Sequence, residues 1–62
     1  MAMQPRNYFL SQYGNKRGTT VMHRMRTWYN SQARLAQREG RVADGNRFQS
    51  MADDMTANIN GV

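Results

Sequence analysis

"TTVMHRMRTWYNSQARLAQREG", residues 19–40, is the stretch on which the fold turns. Placed at 100° per residue, Val21, Met22, Met25, Trp28, Tyr29, Ala33, Leu35 and Ala36 share one arc of about 160°. His23, Arg24, Arg26, Asn30, Arg34, Gln37 and Arg38 take the opposite arc. A strand repeats every two residues and would mix the two sets, so the stretch predicts an amphipathic helix. A hydroxyl from Thr19 or Thr20 can cap its first free N–H groups and Gly40 stops the run, giving a helix over residues 20–39. Gln32 breaks the division by falling in the middle of the apolar arc. A buried amide needs partners, so Gln32 implies a bond to another helix or chain, or the line where the apolar face meets water.

Working outward towards the N-terminus, Pro5 suits a first helical position and Gly14 a left-handed cap, which predicts a short helix over residues 5–13. Within it Phe9, Leu10 and Tyr13 fall in an arc of about 100°. On the other side, after the turn "EGRVADGNR", Phe48, Met51, Ala52, Met55 and Ile59 form a stripe of about 100° at helical spacing. A third helix over residues 46–59 follows, capped by Asp44, or by Asn46 with Gln49 three residues on as in a capping box, and ended by Gly61. A start at Arg41 would place Gly45 inside the helix, at about 1 kcal/mol relative to alanine.

Three helices joined by short glycine turns give an all-α fold. It is a small three-helix arrangement built on an antiparallel helical hairpin, helices two and three, with the first folded over one end. Its apolar core, or an interface with a partner, is expected from Val21, Met25, Trp28, Leu35, Phe48, Met51, Met55 and Ile59. Tyr29, Gly40 and Ala52 resemble in part the two-helix unit of tetratricopeptide repeats, with Gly45 where that family prefers alanine. No second copy follows to stack on, so a repeat array is excluded.

Sixty-two residues make one domain with a thin core. At this size apolar burial barely offsets ordering unless disulfides, a metal or a partner contributes. The chain has no cysteine, and the single histidine, His23, cannot build a zinc site alone. Association with a larger assembly, or with copies of itself, is the remaining support, and no cofactor is expected. Six methionines fit either an adaptable core, through Met22, Met25, Met51 and Met55, or a partner surface. Apolar runs of two or three residues leave no membrane span and no secretory signal, so the chain reads as cytoplasmic or as part of a particle assembled in the cytoplasm.

Charge is distributed unevenly. Residues 1–41 hold eight of the nine basic residues against Glu39 alone, a net of +7. Residues 42–62 set Arg47 against Asp44, Asp53 and Asp54, a net of −2. Eight of the nine cations are arginine, whose planar fork suits phosphate and carboxylate and stacks on flat rings. Arg34 and Arg38 favour the dipole of helix two, but Arg24 and Arg26, near its N-terminus, oppose it by about 0.3–1 kcal/mol each when exposed. Helix stability does not explain them; tertiary carboxylates or an external anion would. Lys16, Arg17, Arg24, Arg26, Arg34 and Arg38 are therefore the candidate contacts to nucleic acid or another anionic partner, the alternative being a solvated face.

The loop "GNKRGTT" departs from the phosphate-binding loop of nucleotide hydrolases. The spacing from Gly14 to Gly18 is one residue short, Thr19 stands in place of the lysine, and no buried strand precedes it. What remains is a plain turn, or free N–H groups at a helix N-terminus beside Lys16 and Arg17. Trp28, Tyr29, Met22 and Met25 could stack bases beside Arg24 and Arg26, but they share the apolar arc and are expected in a core or interface. Tyr8 and Tyr13 are better placed for exposed stacking. No nucleophile and base stand in a recognisable spacing, and Asp53 and Asp54 point about 100° apart on a helix, so no enzyme is expected.

Two functions follow as expectations. The first is a non-catalytic component of a nucleoprotein assembly that neutralises nucleic-acid backbone without reading sequence. The alternative is a structural or adaptor protein in a large complex such as a virion, whose arginines meet acidic protein surface. A small regulator that occludes a site on a larger enzyme ranks third.

Overall fold

The computed structural model describes residues 4–61, which form α1 (Arg6–Tyr13), α2 (Asn15–Arg38) and α3 (Val42–Asn60), with no strand among them. The fold is all-α: α2 and α3 pack as the antiparallel hairpin, and α1 lies on α2. At 1.5 Å per residue α2 rises about 36 Å, and it sets the long dimension of a molecule 38 × 17 × 16 Å in extent.

Helix starts differ from the sequence expectations, and for α2 and α3 a glycine accommodated inside the helix is the reason. Pro5 precedes α1 rather than opening it; its backbone is extended, and its carbonyl accepts the Tyr8 N–H at 3.0 Å. Gly14 has the positive φ expected of a cap, 88°, but its ψ of 167° is extended rather than left-handed helical, a region open essentially to glycine alone. Its N–H donates to Leu10 O at 2.9 Å, and its carbonyl accepts the Gly18 N–H at 2.8 Å. One residue therefore ends α1 and begins α2.

The expected start of α2 at residue 20 is corrected to Asn15, so "NKRGTT" is helix rather than loop. Thr19 and Thr20 are not caps; their hydroxyls bond back to Asn15 O at 2.8 Å and Lys16 O at 3.2 Å, one turn behind them. Gly18 lies buried in the first turns of α2. A Cβ there would stand 2.7 Å from Phe9 O and 3.0 Å from Phe9 C, so its absence is what lets α1 cross so close. Tertiary contact thus outweighs the propensity cost of a helical glycine.

The same correction applies to α3. It starts at Val42 rather than residue 46, without a side-chain cap from Asp44 or Asn46, and it carries Gly45 as a buried interior residue. A Cβ on Gly45 would meet Gln37 Cγ at 3.0 Å and Ala33 O at 3.5 Å across the hairpin. Between the two long helices, Gly40 (φ 77°) makes the turn. Its N–H donates to Gln37 O at 3.1 Å and the Arg41 N–H to Ala36 O at 2.8 Å, the paired bonds of a Schellman ending.

The core is graded along the hairpin. At the end covered by α1, Phe9, Met22 and Met55 form a buried cluster with Leu10, Val21, Met25 and Ile59 packed against it. The Asn58 side-chain amide donates to Gln4 O at 2.7 Å and ties the start of α1 to the end of α3. Towards the turn the buried residues are small, Ala33, Ala36 and Gly45, and Ala52 is buried one helical turn before Met55. Midway, Trp28 makes edge contacts with Tyr29 at 5.4 Å and Phe48 at 5.8 Å between ring centroids.

Of the expected core, Met55 is buried and Val21, Met25, Phe48, Met51 and Ile59 are half-buried. Trp28 and Leu35 are not core: they are 54% and 40% exposed. The apolar arc of α2 is wider than α1 and α3 together cover. Burial centres on Met22, Ala33 and Ala36, and one rim stays open. Gln32 sits half-buried near that rim, and no buried side-chain polar atom among the described residues lacks a partner. No helix of the described residues is long and apolar enough to cross a membrane.

Candidate anion-binding face

α2 carries six cations and no carboxylate. Lys16, Arg17, Arg24, Arg34 and Arg38 are exposed. At 100° per residue they fall in an arc of about 100° opposite the buried face. From Lys16 to Arg38 the row runs about 33 Å along the axis. Arg26 stands apart on the flank towards α3, half-buried, its Nη2 donating to His23 Nδ1 at 3.3 Å. Together with Asn30, Arg34 and Thr56 it lines a polar groove between the two long helices.

Acidic residues could have neutralised this row, but the fold uses them elsewhere. Glu39 takes the Arg41 guanidinium through Oε1 at 2.8 Å, and Asp44 takes it through Oδ2 at 3.2 Å. Asp44 also faces Arg47 at 3.9 Å. Hydrogen bonding to Glu39 first, then its charge and Asp44, raises the Arg41 pKa above its ordinary value and keeps it ionised. Asp53 accepts from Gln49 Nε2 at 3.3 Å, and that amide also reaches Asn30 Oδ1 at 3.4 Å. Among the described residues, every ion pair lies at the turn between α2 and α3, and none includes a cation of α2.

Tertiary carboxylates therefore do not account for Arg24 and Arg26. Lys16 and Arg17 lie inside the first turn of α2, where no acidic side chain offsets the dipole and no side chain caps the free N–H groups. The expected set of six divides into an outer row of five and Arg26 on the flank, with Arg34 reaching from the row to the groove that Arg26 lines.

Tyr13 is exposed, as expected for stacking, and Trp28, expected in a core or interface, is exposed as well, so aromatics and cations meet on one open edge. Arg17, Val21, Arg24 and Trp28 recur at intervals of four, three and four residues, so they follow one line along α2. Tyr13, 45% exposed at the end of α1, joins Arg17, Thr20, Val21 and Arg24 around a shallow cleft. The spacing was visible in the sequence, but Trp28 belonged to the apolar arc and so read as buried. No protein-family model, curated protein or solved structure matches this chain.

Proposed function

We propose that this chain is a non-catalytic component of a nucleoprotein assembly, in which α2 neutralises nucleic-acid backbone without reading sequence. The observation that carries this reading is the row of α2 cations with no carboxylate within 4.0 Å among the described residues. Aligned on one face, they repel one another, and those near the N-terminus oppose the helix dipole. A polyanion relieves both costs and releases its own counterions on binding. The length of the row matches about one turn of duplex, or about ten nucleotides of a strand at 3.4 Å each. On this reading the chain works inside a particle assembled in the cytoplasm.

A second reading, an adaptor that meets acidic protein surface, draws on the exposed Trp28 and Leu35 beside these arginines, because aromatic residues and arginine dominate protein interfaces. Salt dependence separates the two. Replacing Lys16, Arg17, Arg24 and Arg26 together by glutamine should weaken binding to unrelated sequences about equally. It should also flatten the slope of log affinity against log salt by about 0.9 per lost contact on duplex and about 0.7 on a single strand. Equal slopes for wild type and variant, or no binding by wild type at physiological salt, would defeat the nucleoprotein reading and leave the adaptor.

A further inference from the structure

We infer that the edge formed by Tyr13, Arg17, Arg24 and Trp28 is a site for single-stranded nucleic acid, with bases stacked on the two aromatic rings and phosphates held by the two arginines. This rests on the backbone-binding function proposed above and narrows its ligand from any polyanion to an unpaired strand.

Four observations converge on it. First, Trp28 keeps 54% of its surface open although it is the largest side chain in the protein and stands on the helix that holds the core. Second, the indole is held in place. It meets Tyr29 at an interplanar angle of 71° and Phe48 at 83°, so two edge contacts restrain the ring while over half of it faces water. A pre-set aromatic surface of that kind loses little freedom when a base stacks on it. Third, Arg24 is one helical turn before Trp28 and Arg17 two turns before Arg24, both exposed and without a carboxylate partner among the described residues. Fourth, Tyr13 closes the far end of the line, lining the cleft that Arg17 and Arg24 share.

Interleaved aromatic faces and cations are what an unpaired strand requires. Its bases offer flat rings that a duplex keeps stacked inside, while its phosphates follow at regular spacing. From Arg17 to Trp28 the line rises about 16 Å, the length of about five nucleotides at 3.4 Å each. A second copy of this chain fits the edge less well. α2 has cations and no anion, so copies meeting along it would bring like charges together.

Trp28 is the only tryptophan, so its emission reports on this edge alone. Titration with an eight-nucleotide unpaired strand should quench it saturably, and a hairpin duplex carrying the same number of phosphates should bind without comparable quenching. Trp28→Leu keeps an apolar contact for Phe48, and Tyr13→Leu puts an apolar side chain in place of a ring that is 45% exposed; both remove a stacking face. With a dye-labelled strand, each should lower affinity by roughly tenfold, leaving duplex affinity and the salt slope as in wild type. Far-UV circular dichroism shows whether a variant is folded. Should Trp28→Leu fail to fold, Tyr13→Leu and the wild-type quenching still decide the matter. If wild type binds strand and duplex with the expected salt slope, yet Trp28 is not quenched and Tyr13→Leu is silent, the stacking site is wrong while backbone binding stands. If wild type binds neither, or Trp28 emission responds only to protein concentration, both inferences fall and the edge is a protein interface.

Discussion

The two ends of the α2–α3 hairpin are built on opposite principles. At the end covered by α1, Phe9, Met22 and Met55 fill the space between three helices; at the turn, Ala33, Ala36 and Gly45 let two helices approach until a Cβ on Gly45 would stand 3.0 Å from Gln37 Cγ. Large side chains need a third wall to exclude water, and α1 supplies it. Small side chains leave no gap, so two helices suffice. Stability should therefore concentrate at the α1 end, where most of the buried apolar surface lies.

The largest effects should follow from emptying that end. Phe9→Ala removes about 3–5 kcal/mol and Met55→Ala about 2–5 kcal/mol by the usual cost of deleting buried groups. A chain of this size has roughly 3–9 kcal/mol in all, so thermal melts followed by far-UV circular dichroism should show the Phe9→Ala melting temperature lowered by roughly 10–40 °C. A Phe9→Ala melt within a few degrees of wild type would mean that the hairpin stands without α1 and the ends are equivalent.

The two helical glycines sharpen the comparison. Gly18→Ala forces a Cβ against the Phe9 carbonyl, a backbone group that cannot swing away, and should cost about 1–3 kcal/mol. Gly45→Ala meets Gln37 Cγ first, an exposed side chain free to move. There the gain in helix propensity, about 1 kcal/mol at most, offsets the contact, and the melting temperature should stay near wild type. Chemical denaturation of both variants tests the contrast; equal losses would show the turn end to be as tightly constrained as the other.

The smallest effect belongs to the ion pairs at the turn. Arg41 has a folded pKa raised above its unfolded value, chiefly by Glu39, so the stability it contributes is present below the unfolded pKa and is lost only as pH rises through the folded one. That window is strongly alkaline. Between pH 7 and about pH 10, well below the ordinary arginine range, melting curves of wild type and Arg41→Gln should differ by a constant, small offset. An offset that grows across that range would place the charge partner of Glu39 elsewhere.

The existence and order of the helices were legible in the residues themselves. α2 repeats its apolar positions over about four turns, and α3 repeats Phe48, Met51, Ala52, Met55 and Ile59 on one face, patterns a strand cannot accommodate. The row of cations was equally legible, because charge and helical spacing are local properties. The helix starts were misread because intrinsic propensity treats glycine as a breaker. Gly18 and Gly45 are tolerated for what crosses over them, Phe9 from α1 and Gln37 and Ala33 from α2, and no local pattern names those partners.

Tertiary packing also decided which part of the apolar arc of α2 is covered. A helix shows an arc of about 160° in its own sequence, but the crossing of its neighbours selects the strip that is buried. Met22, Ala33 and Ala36 lie under α1 and α3, while Trp28 and Leu35 remain on the open rim. Placement of the carboxylates followed the same division. The sequence by itself held four acids against nine bases, and the turn geometry committed Glu39 and Asp44 to Arg41, leaving the α2 row without them. Periodicity and net charge are sums over neighbours in the chain, so they can be read from it directly; burial and ion pairing depend on distances between segments, which exist only once the helices are docked.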